Sequence, residues 1–153
     1  MGTASLKIGE NASVSGDEGV AASSIDATSY FLLGVEHHSA GDVRSAAQWF
    51  ERGHAADPTD AAILSALASA LLEAGQATQS IARHQEWVDR QPEEAAAWFG
   101  LGRSLLLLDR HGDAVEALTR ACALRPDLRH YADQLRAAQM QDPSPIVHTG
   151  DDD

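Results

Sequence analysis

Residues 95–128 read AAAWFGLGRSLLLLDRHGDAVEALTRACALRPDL. In this stretch Trp98, Leu101, Gly102 and Leu105 hold the fourth, seventh, eighth and eleventh places. Ala114, Leu118 and Ala121 hold the twentieth, twenty-fourth and twenty-seventh. The fourth, seventh and eleventh places are spaced i, i+3, i+7 and form one stripe on a helix, and the later set, at i, i+4, i+7, forms a stripe on a second helix. Between the two stripes stands Asp109, a residue that tolerates the left-handed backbone of a helix end better than most. Pro126 closes the stretch, since proline breaks a helix or opens the next one at its first turn.

Stepping back 34 residues at a time finds the pattern again. Pro92 and Pro58 precede Pro126 at equal intervals. The places before Pro58 hold Tyr30, Leu33, Gly34, His37, Ala46, Phe50 and Gly53, and those before Pro92 hold Leu64, Leu67, Ala68, Leu71, Ser80, His84 and Trp87. Gly34, Ala68 and Gly102 are small where two helices must approach closely, and Ala46, Ser80 and Ala114 answer them from the partner helix. Gly41 and Gly75 match Asp109 at the break between helices, where glycine adopts a left-handed conformation at little steric cost. A fixed period of 34 with this alternation of large and small residues resembles the tetratricopeptide repeat. The resemblance implies an all-α fold: an α-solenoid of three helix–turn–helix repeats at 27–60, 61–94 and 95–128, with a concave face that grips another protein. The second unit departs most, with His84 at a bulky apolar place, Trp87 at a small one and Leu64 at an aromatic one. A local rearrangement of its second helix is the expectation, with His84 and Trp87 exchanging the large and small roles.

Outside the period the composition changes. Residues 1–26 are rich in Gly, Ser, Ala and Thr, and Val14, Val20 and Ile25 are too isolated to bury a face, so a disordered leader is expected. After the third unit, Leu128, Tyr131, Ala132, Leu135 and Ala138 are spaced as one apolar helical face opposite Arg129, Asp133, Gln134 and Arg136. Residues 128–141 therefore read as a capping helix that covers the open end of the stack and completes a domain over 27–141. The tail, 142–153, carries Pro143, Pro145 and the run Asp151, Asp152, Asp153, and is expected to be an unstructured acidic end.

The chain has 153 residues, a net charge of −12 and a single cysteine, Cys122. Such a balance disfavours nucleic acid and anionic membrane, because phosphate binding needs clustered Lys and Arg. No run approaches the length of a membrane span, and residues 1–10 lack the layout of a signal peptide, which together predict a cytoplasmic location. Leu6 stands where a myristoylation signal would place Ser or Thr. Ten of the eleven cations are Arg and alanine is abundant, a bias that points to a GC-rich bacterial genome.

No residue set supports a reaction. Gly100 and Gly102 lie inside a periodic helix, so they form no phosphate loop. His37 and His38 point about 100° apart on a helix, and His54, His84, His111 and His130 fall at unlike places, so neither a metal nor a cofactor is expected. Glu93 and Glu94 open a helix, where negative charge is favourable. Cys122 reads as a small buried residue.

The resemblance also indicates the binding face. In this family the concave surface comes mainly from the second, fifth, ninth, twelfth and thirteenth places. Here those are Thr28, Phe31, Val35, His38 and Ser39, then Ala62, Ser65, Ser69, Leu72 and Glu73, then Ala96, Phe99, Arg103, Leu106 and Leu107. Some members hold chaperone C-terminal carboxylates through a clamp of lysines, asparagines and an arginine. Lys7 is the only lysine and Asn11 the only asparagine here, and both precede the repeats, so that clamp is missing. The implied groove, made by Phe31, Val35, Ser65, Ser69, Leu72, Phe99, Arg103 and Leu106, suits an apolar segment of a protein or peptide partner. The expected function is a non-catalytic interaction module or adaptor. Two alternatives stand beside it. One is a bacterial secretion chaperone, since size, repeat count and charge look similar to the class II chaperones of type III secretion. The other is a self-assembling scaffold, a homo-oligomer joined through the N-terminal edge or the apolar groove.

Overall fold

Seven helices account for nearly all of the described residues, 25–143, in the computed structural model. They are α1 (Ala27–Ser39), α2 (Val43–Ala56), α3 (Ala61–Glu73), α4 (Ala77–Arg90), α5 (Ala95–Leu106), α6 (His111–Leu124) and α7 (Arg129–Gln141). Each helix packs on the next in order, and α3 also touches α5, so the inner helices line one side of an all-α solenoid of three hairpins with α7 as its cap. The expectations for residues 1–24 and 144–153 lie outside the described residues.

Every boundary repeats its chemistry at the same interval. Asp26, Asp60 and Glu94 cap α1, α3 and α5, each taking a backbone N–H on its side-chain oxygen at 2.7, 2.8 and 3.3 Å. The first helix of every hairpin ends on a left-handed residue, Gly41 (φ 82°), Gly75 (φ 72°) or Asp109 (φ 55°). At all three ends the next two N–H groups reach back in the paired pattern of a Schellman motif. Asp42 bonds His37 O and Gly41 bonds His38 O, for example, at 2.9 and 3.0 Å. The prolines do not open helices. Pro58, Pro92 and Pro126 follow the last residue of a cap, in turns closed by N–H to O bonds from Asp60 to Asp57, Glu94 to Gln91 and Leu128 to Arg125.

Asp109 alone carries a Cβ into the left-handed region. Its replacement by glycine should raise stability by about 0.5–1 kcal/mol, and Gly75→Ala should lower it by about 1 kcal/mol. No atom within 4 Å opposes a Cβ at Gly75, so strain in φ is the whole effect, readable as a shift in thermal midpoint.

The paired large and small places make the core. A Cβ at Gly34 would lie 2.4 Å from the Phe50 ring, and one at Gly102 would lie 2.6 Å from Leu118 Cγ. Each glycine admits the large side chain of its own hairpin's second helix. In the middle hairpin the structure corrects the sequence reading. α4 is a regular helix; His84 stays at the large place, 1 % exposed, while Trp87 is half-buried and donates its indole N–H to Gln91. No exchange occurs because His84 finds room across the junction, against Gly100 of α5.

The cap works by polarity at vacated places. Tyr131 and Ala138 of α7 are buried against the third hairpin. Arg136 and Gln139, which stand where Gly102 and Leu105 stand in α5, remain exposed because no further helix follows α7 among the described residues.

Candidate functional site

α1, α3 and α5 present the residues singled out for the groove. Val35 is 41 % exposed, and Ser69 and Arg103 are exposed as well. Phe31, Ser65, Leu72, Phe99 and Leu106 are half-buried. Phe31 turns toward the first core cluster, its ring 5.6 Å from that of Phe50. Phe99 leans toward the cap and stacks on Tyr131 at 4.1 Å between ring centres, while His130 meets its edge at 5.5 Å. Arg103 extends over the same Phe99 ring, 5.9 Å from its centre. Leu106 packs on the cluster built around Leu101 and Leu105.

Two further groups complete this face. His38 and Glu73 join α1 to α3 with a 2.9 Å contact, which closes one end of the groove with a charged pair. The cap contributes His130 and Met140, and Met140 is 88 % exposed. Both were legible in principle, since they hold the second and twelfth places counted on into α7.

The largest cleft lies elsewhere. A hollow of about 600 Å³ opens between α2 and α4, floored by Ala47, Leu71 and Ala82 and edged by Gln48, Gln79, Glu51 and Arg83. An ion-pair chain crosses it, with Arg83 bridging Glu51 at 2.6 Å and Glu86 at 3.0 Å. This cleft measures how two outer helices splay; its polar walls are already paired, whereas the inner face keeps exposed apolar side chains. The inner face is therefore the better docking surface.

Sequence reasoning missed a polar cluster in the core. Ser80, His84 and Ser104 are at most 1 % exposed. Carbonyl oxygens only accept, so the donors follow. His84 Nδ1–H gives to Ser80 O at 2.9 Å, Ser80 Oγ to Ser104 Oγ at 2.7 Å, and Ser104 Oγ to Gly100 O at 2.7 Å. Burial pulls the imidazole down to about 4, the Ser80 carbonyl opposes the shift, and the nearby Arg103 charge adds to it. A neutral histidine with its hydroxyl partners spent on backbone oxygens is a structural element. The signal was present as Ser80 and His84 at i, i+4, but the third member comes from another repeat.

Cys122 is half-buried, and burial pushes its thiol up, away from nucleophilic character. Among the described residues no cluster of three or more His, Cys, Asp or Glu could hold a metal, and no helix is long and apolar enough to cross a membrane.

Paired antiparallel helices in register, with an open inner face, define a helical-repeat scaffold. The chain is a tetratricopeptide-repeat protein: residues 65–128 match the family model of that repeat. Among solved structures it is similar to a double mutant of MamA from strain RS-1, with 19 % identity over 82 % of this chain and 70 % of that one (TM-score 0.74). It is also similar to the first such domain of human RPAP3, with 18 % identity over 75 % and 91 % (TM-score 0.68). A third likeness is the first domain of Spaghetti, an RPAP3, solved bound to the HSP90 peptide SRMEEVD, with 18 % identity over 75 % and 91 % (TM-score 0.70). No curated protein matches the sequence.

Proposed function

We propose that this protein is a non-catalytic, cytoplasmic adaptor that holds an apolar segment of a partner protein on the face made by α1, α3 and α5. One observation carries the reading: each of these helices offers apolar side chains to that face, and Arg103 is the only cation among its groove residues. The peptide held by the Spaghetti domain ends in acidic residues and valine. This chain has no lysine or asparagine in its repeats, so a different peptide chemistry is expected here. Exposed apolar surface favours a partner that buries it, and the acidic chain favours one with basic residues nearby.

Phe99→Asp and Leu72→Asp should each weaken capture of the native partner by at least about tenfold, because a carboxylate would be desolvated in the complex. Circular dichroism must first show that both variants keep their helices. Full binding by two folded variants would exclude the face as the site.

A second reading has its own observation. Ala66 and Gly100 are covered by the preceding hairpin, whereas Leu32, at the same place in α1, is 61 % exposed. Self-assembly through this edge predicts a dimer that Leu32→Asp dissolves. A monomer in sedimentation at about 100 μM would remove it.

A further inference from the structure

We infer that the groove is shaped for an amphipathic α-helix lying lengthwise and antiparallel on α3, with basic residues in its last turn. The inference rests on the proposed binding face and names the conformation and charge of what it holds.

The argument starts with the floor. Ala62, Ser65, Ser69 and Leu72 follow one another at intervals of three, four and three along α3, the spacing of a coiled-coil seam. Ala62 and Ser69 are exposed, and Ser65 spends its hydroxyl on the Ala62 carbonyl at 2.9 Å, so it offers little polarity to a visitor. The flanking helices rise higher. Phe31 and Val35 stand on the α1 side, and Phe99 and Arg103 on the α5 side. Helices in contact lie about 8–10 Å apart, so the two walls stand about 20 Å apart between axes. A helix with its side chains is about 10–12 Å across, which matches the gap left once the wall side chains are counted. An extended strand would leave the walls untouched. Phe99 leans away toward Tyr131, which widens the trough on that side.

Charge sets the direction. Asp26, Asp60 and Glu94 stand in a row at the N-terminal ends of α1, α3 and α5, and none forms an ion pair among the described residues. At the opposite end Glu73 is already paired with His38. Cations are favoured in the last turn of a helix, so an occupant ending in Lys or Arg places that turn beside the acidic row. Its axis then opposes that of α3, and the two helix dipoles attract.

The probe is a synthetic helical peptide of about 14 residues with leucines at seam spacing and three lysines in its last turn. Fluorescence anisotropy with the full-length protein should show saturable binding. Moving the lysines to the first turn, or placing a central proline, should each weaken it by at least about tenfold. Ser69→Trp, which fills the trough at an exposed site, should do the same. Binding that ignores the proline would establish an extended occupant and overturn the inference; binding that ignores the lysine position would overturn the orientation, and indifference to Ser69→Trp the placement. No saturation at about 100 μM would overturn it as well. These failures are separable from failure of the adaptor reading. Loss of native partner binding in Phe99→Asp, with the proline and Ser69→Trp both silent, leaves the face intact and removes only the helix.

Discussion

Gly100→Ala is expected to destabilise the protein by about 2–3 kcal/mol, the opposite of what the same change does in an exposed helix. Alanine has the better helix propensity by about 1 kcal/mol, so local reasoning predicts a gain. The new Cβ, however, would sit 2.0 Å from His84 Nε2 and 2.3 Å from its Cδ2. His84 cannot swing away, because Nδ1 is tied to Ser80 and the ring is fully enclosed. Either α5 shifts away from α4 or the imidazole leaves its rotamer, and overpacking of this kind outweighs the propensity gain. A thermal midpoint lower by about 5–10 °C would show it. His84→Ala should rescue Gly100→Ala in part, giving a coupling of about 1–2 kcal/mol in a double-mutant cycle. Additive losses would mean that the two residues do not share the junction.

Acid should weaken the fold well before its carboxylates protonate. His84 has a folded value near 4 against an ordinary 6.5, with burial as the first cause. Above 6.5 both states are neutral and the group contributes no pH dependence. As pH falls from 6.5 to 4 the unfolded chain takes up a proton that the folded chain refuses, so stability drops, by about 3 kcal/mol in total. The refusal has a geometric reason: a second ring N–H would face α5 at Gly100, and the nearest charge is Arg103. The helix-capping Asp26 and Asp42 are held below the usual carboxylate range by their bonds to Ser29 and Ser45, so their contributions persist until lower pH. Urea midpoints measured from pH 7 to 4 should therefore fall steeply in the wild type. In His84→Leu they should fall by about 2–3 kcal/mol less. Parallel curves for the two proteins would assign the acid sensitivity to other groups.

Much of the molecule was readable from spacing. The recurrence of Pro58, Pro92 and Pro126, and of Gly41, Gly75 and Asp109, marked the helix ends because local backbone conformation decides them. The small places at Gly34 and Gly102 were equally plain, since their partners Phe50 and Leu118 lie within the same hairpin. His84 was misread because its partner is not in its own hairpin. At the binding face, the positions could be named from the repeat, but not that Phe99 would lean on Tyr131 or that His38 would pair with Glu73. Both contacts join different helices of the stack.

Periodicity alone determined that this chain forms stacked helical hairpins and which residue of each turns inward, because a 34-residue repeat dictates the same local geometry each time. The tertiary structure decided what happens between hairpins: His84 against Gly100, the hydroxyl chain to Ser104, the Phe99–Tyr131 stack. Those contacts depend on volume and polarity meeting across a junction, and a pattern that treats each repeat alike carries no information about how unlike neighbours fit.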